Sequence, residues 1–394
     1  MTSSTDARPP LRLVLALQAG AAVLYLLAQA GRLIAPESLA MIRPLDALFT
    51  GGNVAVAMLL ALAGFALTAR LLEARPAGIA AVLRRSGGEL AVLVFAVVLV
   101  CAAALVVDAT DDTDGADWST TWRSILRVLS FRSNAWLLDQ PGAGRADLTS
   151  LWFFSVLVQL MLVAIVLVLV LGGRPLVLAG VLTAGAVACA THRVLVLDEQ
   201  GWFAASLGTF TRGDAFLLGA AAAALGARLR WTPATAGAVF GGAAMVLGGA
   251  VLAASFLTVE ETFRVLAPLV AVLTALAALA AAHHPDPRTL AVEVLDQEPV
   301  VLVGRDWYLI VAWAPFVAVT AGRHLDGQPT GLAAVVTVLV TGLLTVGSSW
   351  LLLQAADRVD RHRSVLPARH RGGPASIEVG GDDRRTGGEP PADR

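Results

Sequence analysis

Residues 150–171 read Ser-Leu-Trp-Phe-Phe-Ser-Val-Leu-Val-Gln-Leu-Met-Leu-Val-Ala-Ile-Val-Leu-Val-Leu-Val-Leu, a run without a single charged side chain. A helix crossing a bilayer core needs about 20 consecutive apolar residues. This stretch has that length, and it is not alone. Working outward, the same criterion predicts spans at 13–30, 47–69, 89–107, 150–171, 175–191, 213–228, 235–257, 263–282, 301–321 and 331–355. The runs at 175–191 and 213–228 are the short ones, near the lower limit for a span.

Composition agrees with that reading. The chain has 394 residues, 57% of them apolar and only 15% charged, with a mean hydropathy of +0.72. A soluble domain is roughly 45–50% apolar and about a quarter charged, so a water-soluble protein could not hide this surplus. Disorder and a disulfide-rich scaffold are excluded on the same grounds. A net charge of −1 offers no field for nucleic acid. The expected architecture is all-α: a polytopic membrane bundle of about ten helices with both termini cytoplasmic, multi-pass in a bacterial plasma membrane. Cys101 and Cys189 both sit inside apolar runs and read as packing residues. Every basic residue is arginine and none is lysine, a bias expected of a high-GC genome.

Arginine placement orients the bundle. With the N-terminus inside, the cytoplasmic segments carry 18 arginines, the outer segments 10, and Arg305 lies within a span. That excess is the sign expected of the cytoplasmic side, and it depends on the tail and on the loop at 70–85. Arg8, Arg12, the run from Leu13 to Leu27 and Ala28-Gln29-Ala30 also have the pattern of a cleavable signal peptide. The expectation is that the segment is retained as the first span, after a cytoplasmic segment 1–12.

Outside the spans, loop 108–149 opens with Asp108, Asp111, Asp112, Asp114 and Asp117. Asp112, Asp114 and Gly115 imitate part of a calcium loop, but the distal Glu is missing, so a solvated acidic turn is expected. Residues 118–139 carry Trp118, Trp122, Ile125, Leu129 and Trp136 at near-helical spacing. They predict an amphipathic helix on the outer interface or over the outer mouth. His283-His284-Pro285-Asp286 lacks the further ligands that a metal would need, and no metal site is expected. Residues 356–394 read as a disordered cytoplasmic tail, with five arginines between Arg358 and Arg371 facing anionic lipid.

Polar groups within spans are costly and usually face a cavity or a partner. The candidates are Gln18, Asn53, Gln159, Arg212 with Asp214, and Arg305 with Asp306. In order along the chain they resemble something. The run Leu48 to Arg70, with Gly51-Gly52 and Ala63-Gly64-Phe65, resembles the second-span signature of acyltransferase family 3, integral-membrane enzymes that acylate envelope sugars. Leu151-Trp152-Phe153-Phe154-Ser155 through Gln159 is similar to the family's Trp-Ser-Leu-Ser-Val-Glu-x-Gln motif. Thr211-Arg212-Gly213-Asp214 resembles its Arg-x-Asp span start. Val303-Gly304-Arg305-Asp306-Trp307-Tyr308, followed by Trp313-Ala314-Pro315, resembles Leu-Gly-Arg-x-Ser-Tyr and then Trp-His-Pro.

The departures concern histidine and one glutamate. Arg12 matches the family's first-span Arg, but the His eleven positions on is Val23. The expected Glu of the fourth-span motif falls on Leu157, and the His before Pro315 is Ala314. A base acting on a sugar hydroxyl needs a pKa near working pH. His192 and His324 are the outer-side histidines, and His192 with Asp198 misses the His-x4-Asp spacing by one. Asp214 beside Arg212 is the remaining candidate, though such a pairing lowers a carboxylate's basicity.

The resemblance implies transfer of an acyl group, for example acetyl from acyl-CoA, to an envelope glycan or glycolipid acceptor, with no bound cofactor. It implies Asp214 and Arg212 as catalytic groups and Arg12, Gln159, Arg305 and Tyr308 as substrate-binding groups. The other reading is a catalytically inactive relative serving as a lipid-binding, carrier or scaffold subunit, which the missing histidines favour. A transporter is disfavoured, because no inverted repeat or broken pair of spans is visible. Gly237 and Gly241 form a GxxxG that is expected to pack within the bundle.

Overall fold

The computed structural model describes residues 9–34, 51–110, 117–283, 297–325, 329 and 331–365, and every regular element among them is helical. The helices are α1 (Pro9–Ile34), α2 (Gly52–Ala74), α3 (Ile79–Thr110), α4 (Trp118–Leu129), α5 (Ser133–Asp139) and the single turn α6 (Ala146–Thr149). They continue with α7 (Trp152–Leu171), α8 (Pro175–Leu207), α9 (Thr209–Gly226) and α10 (Pro233–Ala253). Then come α11 (Val259–His283), α12 (Glu298–Arg305), α13 (Trp307–Arg323) and α14 (Gly331–Val365). By its contacts the chain forms two units, Met1–Ser349 and Trp350–Arg394. The site described below lies within the first.

Among the described residues, eight helices are long and apolar enough to cross a membrane. The protein is a polytopic membrane bundle. Two of the ten expected spans depart from that criterion, each for a physical reason. Span 301–321 is not one helix: α12 and α13 meet at Asp306 with a bend of 76°, and only together do they qualify as a ninth crossing. Span 213–228 corresponds to α9, which is too polar, because Arg212 and Asp214 lie in its opening turns. α9 is buried along nearly its whole length and packs on α8, α2 and α11. A helix enclosed by other helices presents little surface to lipid, so the need for continuous hydropathy is relaxed.

Glycine sets the closest approach in this interior. A Cβ on Gly219 of α9 would collide with the Ala61 carbonyl of α2, and one on Gly64 of α2 would collide with the Phe216 carbonyl of α9. The two helices therefore cross backbone to backbone, as small residues permit in bundles held by van der Waals packing. Gly304 makes the same kind of contact, allowing α12 to lie against the Leu15 carbonyl of α1. Gly241, by contrast, faces no atom within 4 Å, so this half of the expected GxxxG does not pack within the bundle.

Other boundaries also move. The third span starts at Ile79, which puts Arg84 and Arg85 on a helix rather than in a loop. The fifth extends to Leu207, interrupted at Gly201, whose φ of +82° suits glycine. The amphipathic segment 118–139 is two helices, because Phe131 takes a φ of +52° between α4 and α5. Asp112, Asp114, Gly115, His284 and residues 366–394 lie outside the described residues.

Candidate functional site

A small open cleft of about 80 Å³ lies where α1, α2, α3, α7 and the α12–α13 bend converge. Its apolar lining includes Ala63, Ala66 and Leu67 of α2, Leu93 of α3, and Leu157 and Met161 of α7. Its polar lining is Gln18, Arg70, Glu89, Arg305 and Tyr308, with Trp307 beside them. The bend at Asp306 is what delivers this last group: it ends α12 at Arg305 and restarts the chain at Trp307 with a new helix axis.

The charges in the cleft are organised by arginine. Arg70 Nη1 lies 2.7 Å from both carboxylate oxygens of Glu89, and Arg85 Nε lies 3.6 Å from one of them. Arg305 donates through Nε and Nη2 to the carboxylate of Asp306 at 3.0 and 2.9 Å. Among the described residues in these ion pairs, three arginines stand against two carboxylates, with Arg85 and Asp306 just outside the lining. One cleft joins this cationic end to an apolar interior, a shape suited to an anionic head with a hydrocarbon tail.

A second polar constellation takes Asn53 from the opposite end of α2 and Gln159 of α7, between the cleft residues Leu157 and Met161, and it differs from the expected one. Asp214 is not paired with Arg212. Its carboxylate accepts from Arg193 Nη1 at 2.7 Å, and both side chains are buried. Arg212 instead donates to the Ser206 carbonyl at 3.0 Å and to Asn53 Oδ1 at 2.8 Å. Its guanidinium also sits 4.5 Å from the Phe263 ring centroid and 5.7 Å from that of Trp152. Gln159 donates to the Phe131 carbonyl at 2.8 Å and to Asn134 Oδ1 at 3.3 Å, and accepts from the Thr209 hydroxyl. These groups tie α2, α5, α7, α8 and α9 together.

The expected site residues therefore divide. Arg305 and Tyr308 line the cleft. Arg12 lies 3.4 Å from Glu298 at the start of α12, outside the cleft lining. Gln159, Arg212 and Asp214 belong to the buried network. His192 is exposed, edge-on to Phe210, while Asp198 pairs with Arg264, in keeping with a spacing that misses the His-x4-Asp pattern. His283 meets the carbonyls of Leu279 and Leu229 at 2.8 and 3.2 Å. No cluster of three metal-ligating side chains occurs among the described residues.

Three groups escaped the sequence reading. Arg193 looked like a flanking charge, yet Leu182, Ala186, Cys189 and Arg193 fall on one buried stripe of α8 at helical spacing. Arg70 and Glu89 are 19 positions apart and meet only because α2 and α3 turn back on one another around Gly78. Asp108, expected in a solvated turn, turns its side chain inward and accepts from Arg145 Nη1 at 2.9 Å. Arg145 Nε also donates to Asp147 at 2.9 Å. Comparison of the chain with known protein families, curated proteins and solved structures gives no match.

Proposed function

We propose that this membrane bundle binds an acyl-bearing anionic amphiphile in the cleft between α2, α3, α7 and the α12–α13 bend, as the donor site of an acyltransferase-like protein. The observation that carries this reading is the joining of a cationic end, with Arg70 and Arg305, to an apolar interior in one cleft. In this reading the chain crosses the membrane ten times with both termini cytoplasmic, and Arg70, Arg85 and Arg305 stand at the cytoplasmic end. There an acyl-CoA presents phosphates to the arginines while its acyl group enters between Leu93, Leu157 and Met161. The acceptor is an envelope glycan or glycolipid hydroxyl, as the resemblance to acyltransferase family 3 implies.

One observation favours a second reading, binding without transfer. Acyl transfer requires a base to take the acceptor's proton, and Glu89 is the carboxylate in the cleft lining. Both of its oxygens lie 2.7 Å from Arg70 Nη1, so the carboxylate is engaged by that guanidinium and not turned toward an acceptor. A carrier or scaffold subunit needs the cleft and no base.

Both readings are tested on the purified full-length protein. Wild type is expected to bind a long-chain acyl-CoA, with Arg305→Ala and Arg70→Ala binding it at least about tenfold more weakly, a loss of about 1.4 kcal/mol. Unchanged affinity in both folded variants overturns the cleft assignment. Mass spectrometry of envelope glycolipids from a deletion strain then separates the two readings. Loss of an acyl substituent, restored by wild type and not by Arg305→Ala, supports transfer. An unchanged acylation pattern with acyl-CoA binding intact supports carriage.

A further inference from the structure

α4 is turned the wrong way round for a helix meeting water. Its polar side chains Thr121 and Ser124 are buried with Ile125 and Val128, while Trp118, Trp122, Leu126 and Leu129 are exposed, Leu126 at 61%. Hydrogen bonds fix this orientation. Ser124 Oγ accepts from the Arg145 backbone N–H at 3.0 Å, and Thr121 Oγ1 accepts from Arg145 Nη1 at 3.1 Å. The Thr121 hydroxyl also donates to Asp108 at 3.1 Å.

At about 100° per residue the remaining surface of α4 divides in two. Trp118, Trp122, Leu126 and Leu129 share one sector of roughly 80°, and Ser119, Arg123 and Arg127 fill the next, also of roughly 80°. The three sectors are one for the protein, one apolar and aromatic, one cationic. Trp118 and Trp122 stack edge to face within the apolar sector. α3, the helix that carries Asp108, likewise exposes Phe95, Val98 and Val106. Tryptophan with a flanking arginine is the side-chain pair that settles at the headgroup level of a bilayer.

We propose that α4 is an interfacial anchor that docks on anionic phospholipid, with Trp118, Trp122, Leu126 and Leu129 among the acyl chains and Arg123 and Arg127 on the headgroup phosphates. The bilayer is favoured over a second copy of the chain because no carboxylate lies within Trp118–Leu129, the N-cap Asp117 offsets Arg123 alone, and a phosphate-rich surface supplies the remaining counter-charge. This assignment is independent of the cleft.

The test uses the full-length protein in nanodiscs of phosphatidylcholine, with or without phosphatidylglycerol. Nitroxide labels are placed at Leu126→Cys and, separately, at Arg127→Cys, both exposed positions. The label at 126 is expected to collide with oxygen and be shielded from a water-soluble nickel complex, and the label at 127 to show the reverse order. Phosphatidylglycerol is expected to immobilise the 126 label. Native mass spectrometry of the unlabelled Arg123→Gln/Arg127→Gln protein is expected to show about a tenfold or greater loss of retained phosphatidylglycerol. Equal nickel accessibility at 126 and 127 overturns the proposal, because the helix then lies in water. Spin–spin broadening at 126 overturns it in favour of a second copy. Retention of phosphatidylglycerol unchanged by the double substitution removes the anionic-lipid assignment.

Discussion

Arg193 and Asp214 meet at 2.7 Å with both side chains nearly sealed from solvent. Removing one partner of such a pair strands the other charge, whereas removing both leaves an apolar gap. Arg193→Ala and Asp214→Ala are each expected to destabilise the folded protein by about 3–5 kcal/mol, read from the midpoint of unfolding in a denaturing detergent. The double replacement Arg193→Leu/Asp214→Leu is expected to lose clearly less than the sum, and simple additivity would show that the two side chains do not act as a unit. Gly219 makes a different residue-scale claim. The atom in the way of a Cβ there is the Ala61 backbone carbonyl, which cannot rotate aside. Gly219→Ala is expected to cost at least about 1–3 kcal/mol through overpacking. Gly241→Ala, with nothing within 4 Å, is expected to be neutral in the same assay or slightly stabilising.

Elements whose identity rests on an uninterrupted apolar run were legible in the sequence. Expected spans 150–171, 235–257 and 263–282 correspond to α7, α10 and α11 within a few residues. The bend at Asp306 was not legible, because 301–321 has the length of a single span and nothing in the local sequence marks the close approach of α12 to α1 at Gly304. Arg305 drew notice as a charge within a span and Tyr308 only through the family resemblance, and both line the cleft. Arg70 and Glu89 were not, because each alone is an ordinary span-end charge.

The loop elements depend on Arg145, which joins Asp108 of α3, Thr121 of α4 and Asp147 of α6. Arg145→Ala removes the guanidinium that lies 2.9 Å from both Asp108 and Asp147, leaving Arg323 at 3.9 Å from Asp147. It is expected to raise deuterium uptake through α4 and α6 while α7 stays protected. At the start of α4, the Ser119 hydroxyl and amide hold the Asp117 carboxyl below its usual range. A depressed carboxyl gives its full contribution above the unfolded value of about 3.9 and loses it as pH falls through the lower folded value. A spin label at Thr120 is expected to gain mobility below about pH 4, and the same label on Asp117→Asn protein to be indifferent to that pH change.

At the scale of the whole molecule, α9 decides how the chain threads the membrane. By composition alone it fails as a span, yet its neighbours fix its depth. Arg212 bonds Asn53 at the beginning of α2, and Gly219 lies against Ala61 further along the same helix. α9 therefore runs parallel to α2, and its 18 residues extend about 27 Å at 1.5 Å each, close to the roughly 30 Å of a bilayer core. A helix at that depth and in that direction carries the chain from the Asn53 end to the Arg70 end. Gly173, between α7 and α8, and Arg230, between α9 and α10, are then expected on the same side of the membrane. Single cysteines at these positions, with Cys101 and Cys189 replaced by serine, are expected to react with an impermeant thiol reagent from the same face, and a cysteine at Ser130 from the other. Reaction of 173 and 230 from opposite faces would mean that α9 does not cross. It would also reverse the arginine count for everything after it, since Arg228 and Arg230 would then lie outside. The polar residues that keep α9 from looking like a span are the ones that bond it to α2 and α8, so Arg212→Leu/Asp214→Leu is expected to make the segment more hydropathic while destabilising the bundle it sits in.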